Sequence, residues 1–238
     1  MNDDKPLDGI LLVGDNVYPC GVRSVDDPGW RMLDPLRARG VSIYAVLGNH
    51  DYCGDPAAEV SADGVIPQWH MPARQYVLRS DVADLAMLDT TPYATGKSRD
   101  AEDAIRATFA GSSAPWRIAV GHHTIISSGW HGWFPRAHAR RMREILPFLR
   151  HENVALYVCG HDHDLELIEG SPRYLISGAG SDPIPIVKRH AETIYPKSVS
   201  LRERIGFAVL EITSEAIRVR FHRGDGRPSS EWIDVARH

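Results

Sequence analysis

Short apolar runs alternate with polar, glycine-bearing breaks along most of this chain, and the spacing of the apolar residues switches between the periods of strand and helix. Residues 9–13 and 41–47 are nearly continuous apolar runs, which predicts strands buried on both faces, as in a parallel sheet. Between them Trp30, Leu33, Leu36 and Arg37 follow Pro28 at helical spacing, and Gly40 ends the turn, so a helix is expected there. Residues 74–78 and 82–88 read as paired strands, and 98–109 as a helix with an acidic start. Two further buried strands are expected at 116–120 and 154–159. The stretch 135–149 puts Met142, Ile145, Leu146 and Leu149 on one face and Arg136, Arg140, Arg141 and Arg143 elsewhere, which predicts one amphipathic helix with a solvated arginine face. The tail is strand-rich, at 165–168, 174–177, 207–212 and 217–221, the last two as a hairpin. Strands alternating with helices and then strands alone specify an α/β fold, with sheets sandwiched between helices in one domain over 1–238.

Four of the breaks carry chemistry. Gly14-Asp15-Asn16-Val17-Tyr18, Gly48-Asn49-His50-Asp51, Gly121-His122-His123 and Gly160-His161-Asp162-His163 each follow an expected strand. Strands of one sheet release their loops at a common edge, so ligands far apart in sequence can meet around a pair of ions. Asp15 has two oxygens, enough to bridge cations about 3.5 to 4 Å apart. Tyr18, three residues on, can turn back to the same ion, and a phenolate favours a trivalent metal such as iron. Asn49 offers an amide oxygen, and His50 beside it serves as a ligand or as an acid. His161 and His163, two apart in a turn, can each address a different ion. Singly, each residue reads as an ordinary turn or rim residue. The combination is more specific, because His50, His122, His123, His131, His161 and His163, six of the 12 histidines, fall in or near these loops and the others scatter to expected surface positions.

Composition narrows the partners. The chain has 238 residues, enough to bury a core without staples, and 43% hydrophobic with 24% charged residues is ordinary for a globular domain. A formal net charge of −4 gives no general attraction for polyanions, so nucleic acid is not the expected partner. No run approaches the ~20 apolar residues of a membrane span, and residues 1–8 are too polar for a signal peptide, so a cytoplasmic location is expected for the chain as written, with no membrane partner. Cys20, Cys53 and Cys159 fit neither a disulfide framework nor a zinc ribbon, and reduced thiols are expected. Cys20 and Cys53 follow two of the site loops, so a bridge between them stays open.

The motifs resemble those of the calcineurin-like metallophosphoesterases, and among these the small purple acid phosphatases of the tartrate-resistant type. That family carries Asp-x-Gly, Gly-Asp-x-x-Tyr, Gly-Asn-His-Asp/Glu, a strand ending in His, and Gly-His-x-His; four of the five occur here in order, from Gly14 to His163. The resemblance implies a β-sandwich of two mixed sheets flanked by helices, an αββα arrangement, and a dinuclear centre of Fe(III) with divalent iron, zinc or manganese. It implies that Asp15 bridges the ions, that Tyr18 and His163 hold the ferric one, and that Asn49, His122 and His161 hold the other. His50 resembles the histidine that contacts the phosphoryl group, and His131, nine residues after His122, the second pocket histidine. His123 stands where an aromatic residue is common and reads as a rim or supporting histidine. Trp130 and Trp133 flank His131 and are candidates to wall the leaving-group pocket.

The first family motif has no counterpart. Only thirteen residues precede Gly14, and Asp3, Asp4 and Asp8 lie too near the next strand for a strand, crossover and helix, whose connection alone needs more than ~10 to 12 residues. The expectation is an N-terminally truncated domain without its first strand, leaving the 10–13 run with an open edge. Any residues upstream could then include an export signal. Losing an anionic ligand weakens trivalent iron most, so partial metal occupancy and reduced activity are expected. The implied reaction is hydrolysis of a small phosphoester by a metal-bound hydroxide, as an acid phosphatase-like phosphomonoesterase. A phosphodiesterase or nucleotide hydrolase on the same scaffold, and a binding module with an impaired site, are the competing readings. Oligomeric state is not legible.

Overall fold

Alternation along the strands decides the layers. In a computed structural model that describes residues 6–133, 137–181, 190–195 and 205–235, the thirteen strands among those residues form three hydrogen-bonded sheets. The first sheet holds β1 (Gly9–Leu12), β2 (Ser42–Ala45) and β3 (Trp69–His70), all parallel. A seven-stranded mixed sheet contains β4 (Tyr76–Arg79), β5 (Ala83–Met87), β6 (Trp116–Val120), β7 (Leu156–Cys159), β8 (Leu165–Ile168), β9 (Arg173–Ser177) and β10 (Thr193–Tyr195), in the order β10-β8-β9-β7-β6-β5-β4. The third is antiparallel: β11 (Gly206–Ile212), β12 (Ile217–Arg223) and β13 (Ile233–Val235). The helices are α1 (Asp34–Arg37), α2 (Pro56–Ser61), α3 (Thr91–Thr95), α4 (Asp100–Phe109), α5 (Trp130–Trp133), α6 (Ala137–Arg143) and α7 (Leu146–His151).

Successive residues of the parallel strands face opposite cores. Ile118, Val120, Leu156, Val158 and Leu175 enter a core shared with Ile217, Val219 and Phe221 of the third sheet and with Leu11 and Tyr44 of the first. Their neighbours Ala119, Tyr157, Cys159, Tyr174 and Ile176 face α4, α6 and α7 through Ile105, Phe109, Met142, Ile145 and Leu149. Ile10, Leu12, Ile43 and Ala45 turn the other way, onto Trp30, Leu33, Ala58 and Trp69. The stack therefore runs helices, large sheet, small sheets, helices, as the α/β expectation requires, with three paired sheets where two were expected. Among the described residues β1 pairs only with β2, and all four of its residues are half-buried. Asp8 is exposed just before it; Asp3 and Asp4 lie outside the described residues.

Two helix expectations change. The region after Pro28 forms a 3-10 turn, Pro28–Leu33, and only a short α1. Where one helix was expected over 135–149, α6 ends at Arg143 and α7 begins at Leu146, because Pro147 has no N–H to give the Arg143 carbonyl. Met142, Ile145 and Leu149 are buried as expected, and Arg140 and Arg143 are exposed; Arg136 lies outside the described residues. No described helix is long and apolar enough to cross a membrane.

Candidate metal centre

Strand ends bring the four motif loops together. β5, β6 and β7 run parallel and adjacent, so Thr90, His122 and His161 leave the same sheet edge, while β1 and β2 deliver Asp15 and Asn49 from the first sheet. The donor atoms then form a continuous chain. His122 Nε2 is 3.1 Å from Asn49 Oδ1, 3.3 Å from Asp15 Oδ2 and 3.1 Å from His161 Nδ1. The Tyr18 hydroxyl lies 3.0 Å from Asp15 Oδ2 and 3.2 Å from His163 Nε2. All six ligands expected from the sequence are thus in one place. His50 and His131 border them: the His50 ring tilts against Tyr18 at 4.6 Å between centroids, and the His131 ring lies 4.0 Å from that of His161.

The backbone is bent to achieve this. Asp15 and His161 sit at φ 56° and 66°, the left-handed region that non-glycine residues rarely occupy and that clusters at functional sites. A Cβ at Gly48 would overlap the Asp15 carboxylate, so only glycine lets the two loops approach.

A buried acid organises the oxygen donors. Asp51, fully buried, accepts hydrogen bonds from the N–H groups of Asp15 at 2.9 Å, Asn16 at 2.9 Å and Gly48 at 2.8 Å, tying the two loops of the first sheet into one unit. Asn16 donates from its amide to Glu59 at 2.8 Å and to the Val46 carbonyl at 2.9 Å. Burial and the neighbouring Asp51 charge push Glu59 up to about 9, so it holds a proton at neutral pH and can share it with Asp51. The same loops are joined covalently: Cys20 and Cys53 form a disulfide with Cα atoms 4.9 Å apart, which corrects the expectation of reduced thiols at these positions. Cys159 is free and buried, and burial holds its thiol well above the ordinary range.

Second contacts fix the imidazoles. His122 Nδ1 lies 2.9 Å from the Val13 carbonyl, which can only accept, so Nδ1 carries a proton and Nε2 is the nitrogen turned toward Asn49, Asp15 and His161. Similarly, His50 Nδ1 donates to the Pro19 carbonyl at 2.7 Å and His131 Nδ1 to Asp162 at 2.9 Å, so neither Nδ1 is the nitrogen available for chemistry. Of the two places expected for His123, rim or support, the burial fits the second: it is 2% exposed, 3.0 Å from the Thr90 hydroxyl, with its ring tilted against that of His161 at 4.6 Å between centroids. Burial holds His161 and His123 well below the usual imidazole range, so both are neutral at pH 7. Burial opposes ionisation of Asp15, but the hydrogen bond and charge of His122 dominate and keep it well below the usual carboxylate range. Burial likewise disfavours the charged form of His122, and Asp15 more than offsets this and raises it.

The donor set fits divalent or trivalent cations. Adjacent ligands around one ion at about 2.1 Å stand about 3 Å apart, and the separations here are of that size. A carboxylate, an amide oxygen and an imidazole lone pair crowd together with one proton at most between them, an arrangement that positive charge relieves. Among the described residues no group of three His, Cys, Asp or Glu side chains is placed to hold a metal ion by itself; the convergent set includes an amide and a phenol. Beside it a cavity is lined by His123, Thr124, His131, His138, Met142 and His161. His138 was expected among scattered surface histidines; it is exposed, but α6 brings its ring 6.1 Å from His123. Trp130 is 40% exposed at the start of α5, and the Trp133 side chain lies outside what is described. Sequence reasoning missed Asp51, Glu59, Thr90 and Asp162 as organisers; a polar residue next to a ligand in three of these loops was the one available signal.

Comparison with known proteins agrees in family. Residues 2–165 match the calcineurin-like phosphoesterase family. The chain is 30% identical to purple acid phosphatase 17 of Arabidopsis thaliana over 95% of its own length and 74% of that protein's. It is 26% identical to human tartrate-resistant acid phosphatase type 5, covering 92% of this chain and 77% of that one. Among solved structures it resembles GAP50, the anchor in the inner membrane complex of Plasmodium, with a TM-score of 0.80 and 23% identity over 98% of this chain and 79% of GAP50.

Proposed function

From the premise that the chain belongs to the calcineurin-like phosphoesterase family, we propose that it is a two-metal hydrolase of small phosphomonoesters, of the acid phosphatase kind. The observation that carries the reading is the convergence of Asp15, Tyr18, Asn49, His122, His161 and His163 with donor atoms 3.0 to 3.3 Å apart. In this reading Asp15 is shared between the ions, Tyr18 and His163 hold the ferric one, and Asn49, His122 and His161 hold a divalent iron, zinc or manganese. When bound, the ions supply the positive charge that acidifies a water and offsets the phosphate oxygens.

The remaining work falls to side chains. Asn49 orients the phosphate. His50 and His131, each anchored through Nδ1, would act as imidazolium ions, the Nε2 proton of one passing to the ester oxygen as it leaves and the Nδ1–H staying on its acceptor. Neutral His161 keeps a lone pair available as a donor. The Tyr18–His163 side has three protein ligands against four on the other, Asp15 counting for both, and is expected to hold its ion the more weakly.

The test is to supply the purified chain with iron and zinc, count ions by mass spectrometry, and assay p-nitrophenyl phosphate against bis-p-nitrophenyl phosphate. Two ions under excess metal, a fall toward one on dialysis and preference for the monoester are expected. His122→Ala should lose more than about 100-fold in metal affinity, and activity with it. Preference for the diester would move the chain to the phosphodiesterase reading, and a fully loaded chain that cleaves neither ester would sink the hydrolase reading.

A further inference from the structure

The segment 127–132 carries His131, and two buried carboxylates outside it hold it in place. Glu166 on β8 is fully buried and accepts from the Ser128 N–H at 2.9 Å and from the Ser128 hydroxyl. Asp162, 1% exposed, lies between the candidate ligands His161 and His163. Its Oδ1 accepts from the His131 N–H and from His131 Nδ1, both at 2.9 Å, and its Oδ2 from the Gly132 N–H at 3.2 Å. A Cβ at Gly129 would press on the same carboxylate, so the loop backbone lies directly against it.

These contacts differ in what they accomplish. The bonds to Ser128, Gly132 and the His131 backbone satisfy buried polar groups and would be needed by any ordered loop. The bond to the ring does something more: an ionised carboxylate only accepts, so Nδ1 must carry a proton, and Nε2 is the nitrogen left for chemistry in a residue that lines the cavity beside His161. The same side chain therefore couples the loop bearing two metal-ligand candidates to the tautomer and direction of a proton donor.

We infer that Asp162 is a positioning residue that makes His131 the proton donor for esters with poor leaving groups. This rests on the hydrolase reading of the same centre. An alkyl ester must receive a proton as its P–O bond breaks; the proton passes from Nε2 of the doubly protonated His131 imidazolium to the departing alcohol oxygen, leaving the neutral Nδ1–H tautomer on Asp162, whereas p-nitrophenolate departs without one. Loss of the Asp162 contact should penalise the first class selectively.

The experiment compares wild type, Asp162→Ala, Asp162→Asn, His131→Ala and the D162A/H131A double variant, all loaded with iron and zinc. Glycerol 2-phosphate and p-nitrophenyl phosphate are the two substrates. D162A and H131A are each expected to lose about 100-fold on the glycerol ester and less than about fivefold on the aryl ester, with the double variant no worse than either single one. Nitrogen-15 NMR of the neutral imidazoles should show Nδ1–H at His131 in wild type and a mixture of tautomers in D162A. D162N keeps Oδ1 as an acceptor and should fall between; it serves if D162A fails to fold or to retain metal. Equal losses on both esters, additive losses in the double variant, or an unchanged His131 tautomer overturns the inference. Wild type cleaving neither ester would instead overturn the hydrolase reading, and the tautomer comparison would still decide whether Asp162 sets His131.

Discussion

The two halves of the centre are built differently. The first sheet contributes oxygen donors, Asp15, Tyr18 and Asn49, while the seven-stranded sheet contributes the imidazoles His122, His161 and His163. The imidazole half hangs from β6 and β7, whose residues are almost all buried between two cores, so its loops inherit rigid stems. The oxygen half hangs from β1 and β2, in a sheet of three short strands with many half-buried residues. That half carries extra fastening: the Asp51 carboxylate across both loops, the Asn16–Glu59 bond and the Cys20–Cys53 disulfide. Where the scaffold is thin, long-range polar and covalent links replace packing as the source of order. His122 closes the seam, reaching Val13 with one nitrogen and Asp15 with the other.

The contrast can be broken most forcefully at Asp51. Asp51→Ala leaves three backbone N–H groups without their acceptor, and a loss of about 3 to 5 kcal/mol by urea unfolding is expected, together with loss of bound metal. A loss under about 1 kcal/mol would mean that packing alone orders the oxygen half. Next comes the disulfide, which joins positions 33 residues apart; replacing both cysteines by serine should cost about 3 kcal/mol on the chain-entropy account. The imidazole nitrogen-15 shifts of His161 and His123 should not move in that variant. If they do, the halves are not independent.

Glu59 gives the most specific effect. Its folded value of about 9 lies above its ordinary 4.5, so the folded chain holds a proton that the unfolded chain has released. Stability from this group is therefore complete below about pH 4.5 and declines as pH rises toward 9. Glu59→Gln removes the titration, so the midpoint difference between wild type and variant should shift in the variant's favour from pH 5 to pH 8. Parallel curves would show that Glu59 is ionised in the fold and that the pair shares no proton.

The strands were legible because each is a local pattern: 116–120 and 165–168 coincide with β6 and β8, and the tail hairpin is β11 with β12. The six ligand candidates were legible for a related reason, since each follows a strand in a glycine-marked loop. The region after Pro28 was less so, because apolar spacing there is satisfied equally by a 3-10 turn and one turn of α-helix. Pro147 was visible in the sequence, yet the shared apolar face across 142–149 concealed the break. His123 was left between rim and support and His138 was expected at the surface, where it is, but that α6 brings His138 beside His123 depends on residues far away in the chain.

Periodicity and loop composition thus determined by themselves where the strands lie, the layered α/β class, and which oxygen and nitrogen donors stand at strand ends. Only the tertiary structure decided that Nδ1 of His50, His122 and His131 carries a proton, that Asp51, Glu59 and Asp162 are organisers rather than solvated acids, and that Cys20 meets Cys53. The reason is physical: burial and hydrogen-bond partners come from segments about 30 to 110 residues apart, as with His131–Asp162 and His122–Val13, and their effect on proton position and charge exists only once those segments pack.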